Sequence, residues 1–143
     1  MHFVTGGAYN GKAKWVKEHY QVHDDSVWIS AYNGGDFPDK IDHHIQLLVL
    51  EGLEQWIKQD TDQNSASEIR VSWKLRLDRF LNWEKANQNR QLIIIGSDIS
   101  KGIVPIEVSD RAWRDACGWV YQDLAQSADR VELIWYGINQ QLK

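Results

Sequence analysis

The sequence has little cysteine, no long apolar run and no excess of basic residues, and each of these shortages excludes a class of protein. The 143 residues contain one cysteine, Cys117, so no disulfide forms within the chain, and we interpret this residue as a small apolar core residue. No apolar run approaches the ~20 residues of a membrane-spanning helix, and no charged-then-apolar leader opens the sequence. The net charge of -4 argues against a nucleic-acid backbone as partner. We therefore expect a cytoplasmic protein with no membrane span and no nucleic-acid partner.

Short apolar runs alternate with amphipathic segments along the chain. The runs predict strands at 3–4, 26–31, 45–51, 92–95 and 130–136, and the segments predict helices at 13–22, 53–59, 67–87 and 109–126. Residues 39–56 also fit one helix, but Gly52 interrupts that pattern and favours a strand followed by a helix. Ser67 and Ser109 are the predicted N-caps. The alternation predicts one domain over residues 1–143 with an α/β fold, a mostly parallel doubly wound sheet flanked by helices.

The first dozen residues carry the pattern that most clearly indicates a function. A short apolar strand runs into glycines at 6, 7 and 11 and then into a helix, which is the order of a loop that cradles phosphate. Backbone N–H groups in such a loop point inward, and the helix dipole adds partial positive charge. We call residues 6–11 the glycine loop. An ordinary turn between a strand and a helix is the alternative, and the context favours a P-loop nucleotide-binding fold.

The residue after the glycine loop, Lys12, completes the pattern G-x-x-x-x-G-K. Lysine at this position contacts the β- and γ-phosphates of a nucleotide, so we predict a catalytic role for Lys12. The next residue normally supplies a hydroxyl ligand to Mg²⁺, and here it is Ala13.

Other candidate residues follow the predicted strands, because ligands of parallel sheets bind at the carboxyl ends of the strands. Glu51 suits the acid that holds Mg²⁺ directly or through water, and a surface carboxylate beside a helix start is the alternative. Asp98 carries a similar ambiguity. The predicted nucleotide-binding residues are Gly6, Gly7, Ala8, Tyr9, Asn10, Gly11, Lys12, Ala13, Ala31, Tyr32 and Glu51, with Glu51 also the predicted metal residue.

Two adjacent histidines, His43 and His44, precede the third strand. A neutral imidazole nitrogen is a competent nucleophile toward phosphorus near neutral pH. Adjacent histidines lack the spacing of metal ligands, and on a polar segment a solvated pair is the alternative to catalysis. The residues alone leave these two readings open.

Several stretches together resemble the bifunctional adenosylcobinamide kinase and adenosylcobinamide-phosphate guanylyltransferase family of cobalamin biosynthesis. The family pattern GGxxSGKS is similar to GGAYNGKA at 6–13, and D-C-L-T-L-W is similar to EGLEQW at 51–56. N-E-V-G-x-G-I-V-P resembles SDISKGIVP at 97–105, and R-x-F-R-D-x-x-G-x-x-N-Q resembles RAWRDACGWVYQ at 111–122. A long stretch that the family carries after its histidine is missing here. The chain therefore resembles a shortened, divergent member.

The resemblance implies two reactions at one nucleotide site. In the first, the γ-phosphate of ATP or GTP, bound with Mg²⁺, passes to the hydroxyl of the corrinoid's aminopropanol arm. In the second, a histidine attacks the α-phosphate of GTP, and the resulting GMP is handed to the new phosphate. The family's R-I-x-x-H is matched by KIDHH at 40–44, so the resemblance assigns this histidine to His44. It also implies a nucleoside triphosphate and a corrinoid as partners, and a homo-oligomer.

Two other functions fit the same residues. Ala13 and the missing stretch are compatible with a non-catalytic relative that binds nucleotide or corrinoid. A P-loop kinase acting on another small metabolite is the third interpretation.

Overall fold

The computed structural model describes residues 1–23, 26–101 and 106–143, and over these residues the chain forms six strands and four α-helices. In chain order they are β1 (His2–Gly6), α1 (Lys12–Tyr20), β2 (Val27–Ser30), a 3-10 turn (Ala31–Asn33), β3 (Leu47–Glu51), α2 (Leu53–Asp60), α3 (Ala66–Lys85), β4 (Gln91–Ser97), α4 (Val108–Ser127), β5 (Arg130–Trp135) and β6 (Ile138–Gln141). No helix within these ranges is long and apolar enough to cross a bilayer.

The six strands form one sheet in the order β2-β3-β4-β1-β5-β6. All neighbours are parallel except β5 and β6, which are antiparallel. The predicted α/β fold with a mostly parallel sheet flanked by helices is confirmed. Because Gly6 pairs with Ser97 and Ser30 with Glu51, these strand ends lie at one edge, which we call the carboxyl edge. The opposite edge, at His2, Val27, Leu47 and Gln91, is the amino edge.

Side chains alternate between the two faces of the sheet, as the period of two along a strand requires. Val4, Val49, Ile93, Ile95 and Ile134 are buried on the face that Val16 of α1 covers. Their neighbours in the same strands are buried with residues of α2, α3 and α4 on the other face. Apolar side chains on both faces explain why β4 reads as an unbroken apolar run.

The N-terminal boundaries of two helices differ from the predictions. The N-cap of α3 is Ser65, not Ser67, because Ser65 and Glu68 form a reciprocal capping box, in which the Ser65 Oγ accepts from the Glu68 N–H at 3.4 Å. The prediction that Ser109 caps α4 is also wrong, since that helix begins at Val108 after Glu107, whose side chain makes no cap bond.

Strand β6 was not expected from the sequence. Its residues INQQ are all exposed and show no apolar alternation, which is the usual signal of a strand. It forms because Tyr136 and Gly137 both have positive φ, of 50° and 79°, and so make the tight turn that folds β6 back onto β5.

Candidate active site

The glycine loop connects β1 to α1 at the carboxyl edge of the sheet. Gly6 has a φ of +146°, and a side chain there would overlap the carbonyl of Ile134 in β5. A Cβ on Gly7 would come within 2.7 Å of the Asn10 side-chain nitrogen. Glycine is therefore required at position 6, where the loop passes against the backbone of β5, whereas the Asn10 side chain can shift to admit a side chain at position 7.

Lys12 is the first residue of α1, and its side chain turns back into the glycine loop. Its Nζ donates to the carbonyl oxygens of Gly6 at 3.2 Å and Gly7 at 2.8 Å, and the residue is only 8% exposed. Burial lowers the pKa of this ammonium group, while the carboxylates of Glu54 and Glu51 raise it in part. The loop thus holds a positive charge away from solvent at the start of a helix.

The turn between β5 and β6 supports the glycine loop from outside. The N–H of Gly137 donates to the Asn10 carbonyl at 2.9 Å, and the N–H of Tyr136 donates to Asn10 Oδ1 at 3.4 Å. Asn10 therefore anchors the loop to the hairpin with both its backbone and its side chain.

A pocket of about 580 Å³ lies beside the glycine loop at the carboxyl edge, and we call it the loop pocket. Its lining includes Ala8, Tyr9, Gly11, Lys12, Ala13, Tyr32 and Glu51, all of them residues that the sequence predicts for nucleotide binding. Gly6, Gly7 and Asn10 form the remainder of the loop, and Ala31 begins the 3-10 turn that carries Tyr32. The structure brings seven of the eleven predicted residues together around one cavity, and the other four are not part of its lining.

Glu51 ends β3 and lines the loop pocket. Its Oε2 accepts a hydrogen bond of 2.9 Å from the indole N–H of Trp28, in the neighbouring strand β2. This contact fixes the carboxylate at the pocket, whereas a surface carboxylate beside the start of α2 would be free to move. Ala13, in the same lining, offers no side-chain oxygen.

Glu54, in the first turn of α2, is the most buried of the pocket residues that the sequence reasoning missed. It lines the loop pocket but is only 1% exposed. Its Oε2 accepts from the Ser97 N–H at 2.9 Å and from the Tyr121 hydroxyl at 3.3 Å, and its Oε1 accepts from the Tyr32 hydroxyl. An acid three residues after a strand end was the available signal, but acids are common in the first turn of any helix.

Two tyrosines are held as hydrogen-bond donors by this carboxylate. Burial raises the pKa of the Tyr121 hydroxyl well above its usual value, and the nearby Glu54 raises it further. The pKa of Tyr32 is raised by the same two causes in the same order. Both phenols therefore stay protonated at neutral pH and keep Glu54 in place.

His44 lies near the amino edge of the sheet, at the opposite end of the strands from the glycine loop. It precedes β3, its side chain is exposed, and its backbone N–H donates to Asp42 Oδ1 at 2.9 Å. The adjacent carbonyl of His43 accepts from Arg90, just before β4, at 3.0 Å, which places both histidines at the amino edge. At about 3.3 Å per residue, the length of β3 alone separates the two edges by roughly 13 Å. The structure does not bring His44 together with Lys12.

The segment after β4 carries part of the family resemblance. Gly102–Pro105, its most specific portion, lies outside the described residues. Before it, Asp98 Oδ1 accepts from the backbone N–H of Ser100 at 2.9 Å and from its hydroxyl at 2.5 Å. Asp98 is thus engaged within its own turn, and it is absent from the lining of the loop pocket.

Comparisons with known proteins agree with the resemblance over most of the chain. A family model described as cobinamide kinase / cobinamide phosphate guanyltransferase matches residues 36–142. The matched range contains Glu51, Glu54 and α4, and it begins after the glycine loop and α1. A search of curated proteins finds no match.

Proposed function

The chain belongs to the cobinamide kinase / cobinamide phosphate guanyltransferase family, and from this premise we propose that it transfers the γ-phosphate of ATP or GTP to the hydroxyl of cobinamide's side arm. The observation that carries the proposal is the loop pocket, where a buried lysine and a strand-end carboxylate face one cavity. Phosphoryl transfer depends mainly on positioning and on neutralising charge, and these groups supply both.

The glycine loop and Lys12 are the proposed binding site for the triphosphate. An ammonium group has three N–H donors, and the carbonyls of Gly6 and Gly7 engage two of them. The third is left for a phosphate oxygen, so nucleotide binding does not require the lysine to leave the loop. Main-chain N–H groups at the start of α1 add donors and the positive end of the helix dipole.

The Mg²⁺ that accompanies a nucleoside triphosphate fits the donor set of this pocket. Mg²⁺ takes one or two carboxylates together with water and phosphate oxygens. Trp28 engages Oε2 of Glu51 and leaves Oε1 for the metal, directly or through water, whereas both oxygens of Glu54 already accept hydrogen bonds. When bound, Mg²⁺ neutralises charge on the phosphate oxygens.

In the proposed reaction the acceptor's hydroxyl oxygen forms a bond to the γ-phosphorus. The bond from that phosphorus to the β–γ bridging oxygen breaks, and the nucleoside diphosphate leaves with the electron pair. The hydroxyl proton passes to solvent water. Lys12 neutralises charge on the group in transit, and the glycine loop holds the remaining phosphates in place.

The test is phosphorylation of adenosylcobinamide with γ-labelled ATP and, separately, γ-labelled GTP. Lys12→Ala is expected to lower the rate by roughly 10²–10³-fold, the usual effect of removing one donor aimed at developing charge. Lys85→Ala removes an exposed lysine at the end of α3, near the amino edge, and serves as the matched control with an unchanged rate. The proposal would be contradicted if neither ATP nor GTP transferred label to adenosylcobinamide.

Ala13 favours a second candidate, a relative that binds nucleotide without turning it over. The pocket lining at this position offers no hydroxyl for Mg²⁺. Calorimetry with ATP and GTP distinguishes the two functions. Nucleotide binding that Lys12→Ala abolishes, with no phosphorylation of cobinamide, would favour the second candidate, whereas phosphorylation would exclude it.

Guanylyl transfer through His44 stays a prediction with its own test. GTP labelled at the α-phosphate is expected to leave acid-labile label on the protein, and His44→Ala to remove it. Its neighbour His43 is equally exposed, so His43→Ala is the matched control. Label that persists in His44→Ala would clear His44 of this role.

A further inference from the structure

A second pocket, of about 380 Å³, lies between α4 and the segment that follows β4, and we call it the helix pocket. Asp98 and Ile99 line it from the segment, and Cys117, Gly118 and Tyr121 line it from α4. Ile99 also lines the loop pocket, so the two cavities meet at this side chain.

One layer of hydrogen-bonded groups separates the helix pocket from the loop pocket. Tyr121 lines the helix pocket, and its hydroxyl donates to the Ser97 carbonyl at 3.0 Å and to Glu54 Oε2 at 3.3 Å. Ser97 and Glu54 both line the loop pocket. A molecule in the helix pocket would therefore lie next to a nucleotide in the loop pocket, and its reacting end would reach the γ-phosphate past Ile99, where the two cavities meet.

We propose that the helix pocket binds the alcohol-bearing arm of the phosphoryl acceptor. This inference rests on the proposed function and adds the location of the second substrate. At about 30 Å³ per small group, the volume holds roughly a dozen non-hydrogen atoms. That is enough for an amino-alcohol arm and too little for a macrocycle, so the bulk of the acceptor stays outside.

The chemistry of the walls suits such an arm. Ile99, Cys117 and Gly118 offer apolar surface to its carbon atoms. Arg114 lines the same pocket, and its guanidinium donates to the Ser100 carbonyl. Because a guanidinium has five N–H donors, Arg114 retains donors for an amide carbonyl or phosphate oxygen of the acceptor.

Gly118 makes the pocket testable without disturbing the fold. A Cβ built at Gly118 has no atom within 4 Å, so a side chain there enters open space. Gly118 also lies inside a helix, where any other non-proline residue is favoured over glycine. We therefore expect Gly118→Leu to fold normally and to fill the helix pocket.

The experiment measures the binding of adenosylcobinamide by calorimetry in the presence of a non-hydrolysable ATP analogue, alongside phosphorylation assays. Gly118→Leu is expected to weaken the binding of adenosylcobinamide about tenfold or more and to leave affinity for the analogue unchanged. Asn82→Leu places the same side chain at an exposed position of α3 near the amino edge, and should change neither.

The outcomes separate this inference from the proposed function. If wild type phosphorylates cobinamide and Gly118→Leu binds it as tightly as wild type, the inference is overturned and the proposed function stands. Equal weakening of cobinamide and nucleotide binding would also overturn it, because the effect would not be confined to the helix pocket. If wild type binds nucleotide but neither binds nor phosphorylates cobinamide, the proposed function fails and this inference falls with it.

Discussion

Glu54 at the carboxyl edge and Glu132 in the middle of β5 are both almost completely buried, at 1% and 0% exposed, but their partners differ. Oε1 of Glu132 accepts from the Arg130 guanidinium at 2.6 and 2.7 Å, and Oε2 accepts from Asn139 Nδ2 at 3.1 Å. Glu54 has only neutral partners, two phenol groups and a backbone N–H.

This difference distinguishes a structural charge from one available to a ligand site. The Arg130 guanidinium neutralises Glu132 within the fold, and Glu132 is not among the charges that act on Lys12. The charge of Glu54 acts instead on Lys12, whose pKa it helps to hold up against burial. A buried carboxylate without a cation in contact is costly, and such groups concentrate at functional sites. We interpret Glu54, together with Glu51, as opposing the effect of burial on the pKa of Lys12.

The largest expected effect on stability is at Glu132. Glu132→Gln leaves the Arg130 guanidinium without its counter-charge, and removing one member of a buried pair costs roughly 3–5 kcal/mol. Since the Arg130 side chain is 25% exposed, water offsets part of that cost, and we expect a loss of about 2–4 kcal/mol. Urea denaturation measures it. A loss below that of Glu54→Gln would contradict this ranking of the two residues.

Glu54→Gln is expected to cost less stability, about 1–2 kcal/mol. The cost arises because the new amide NH₂ group cannot accept the hydrogen bond that the carboxylate oxygen accepted. Its larger consequence is for pH dependence. Without the Glu54 charge, burial lowers the pKa of Lys12 further, so nucleotide affinity is lost at a lower pH on the alkaline side. Calorimetry across pH measures the shift.

Glu132→Gln is the control for that shift, because Glu132 is not among the charges that act on Lys12. It should destabilise the protein and leave the alkaline limb of nucleotide binding unchanged. An alkaline limb that does not move in Glu54→Gln would show that Glu54 serves the fold alone.

The features of the fold that follow from local periodicity were predictable from the sequence. The apolar run of β4 and the break at Gly52 defined a parallel α/β sheet, and strand direction then put Glu51 beside the glycine loop. The same rule puts residues before β3, including His44, at the amino edge. The assignment of His44 came from a motif, and a motif of five residues does not specify which edge of the sheet it occupies.

The rest of the site depends on contacts between residues distant in the chain. Glu54 meets Ser97 and Tyr121 across 43 and 67 residues, and no local pattern indicates such contacts. The exposed strand β6, whose turn anchors Asn10, has no apolar periodicity to reveal it. Polar networks of this kind are determined by tertiary packing, so the structure was needed to find them.

An effect confined to acidic pH is expected at His2, on the Glu132 side of the comparison. Its ring nitrogen is hydrogen-bonded to the Tyr20 hydroxyl, and burial, assisted by nearby positive charges that include Arg130, lowers the pKa of His2 to about 4. An unfolded chain has the ordinary histidine pKa of about 6.5, so between these values the unfolded state binds a proton that the folded state does not. The free energy of unfolding should therefore fall as the pH drops from about 6.5 to 4, and the decrease due to His2 should be complete below about pH 4.

Urea denaturation at stepped pH should give a shallower fall for His2→Gln, with the exposed His23→Gln as control. Identical pH dependence in wild type and His2→Gln would mean that His2 binds its proton equally well in the folded and unfolded states, which would overturn the prediction.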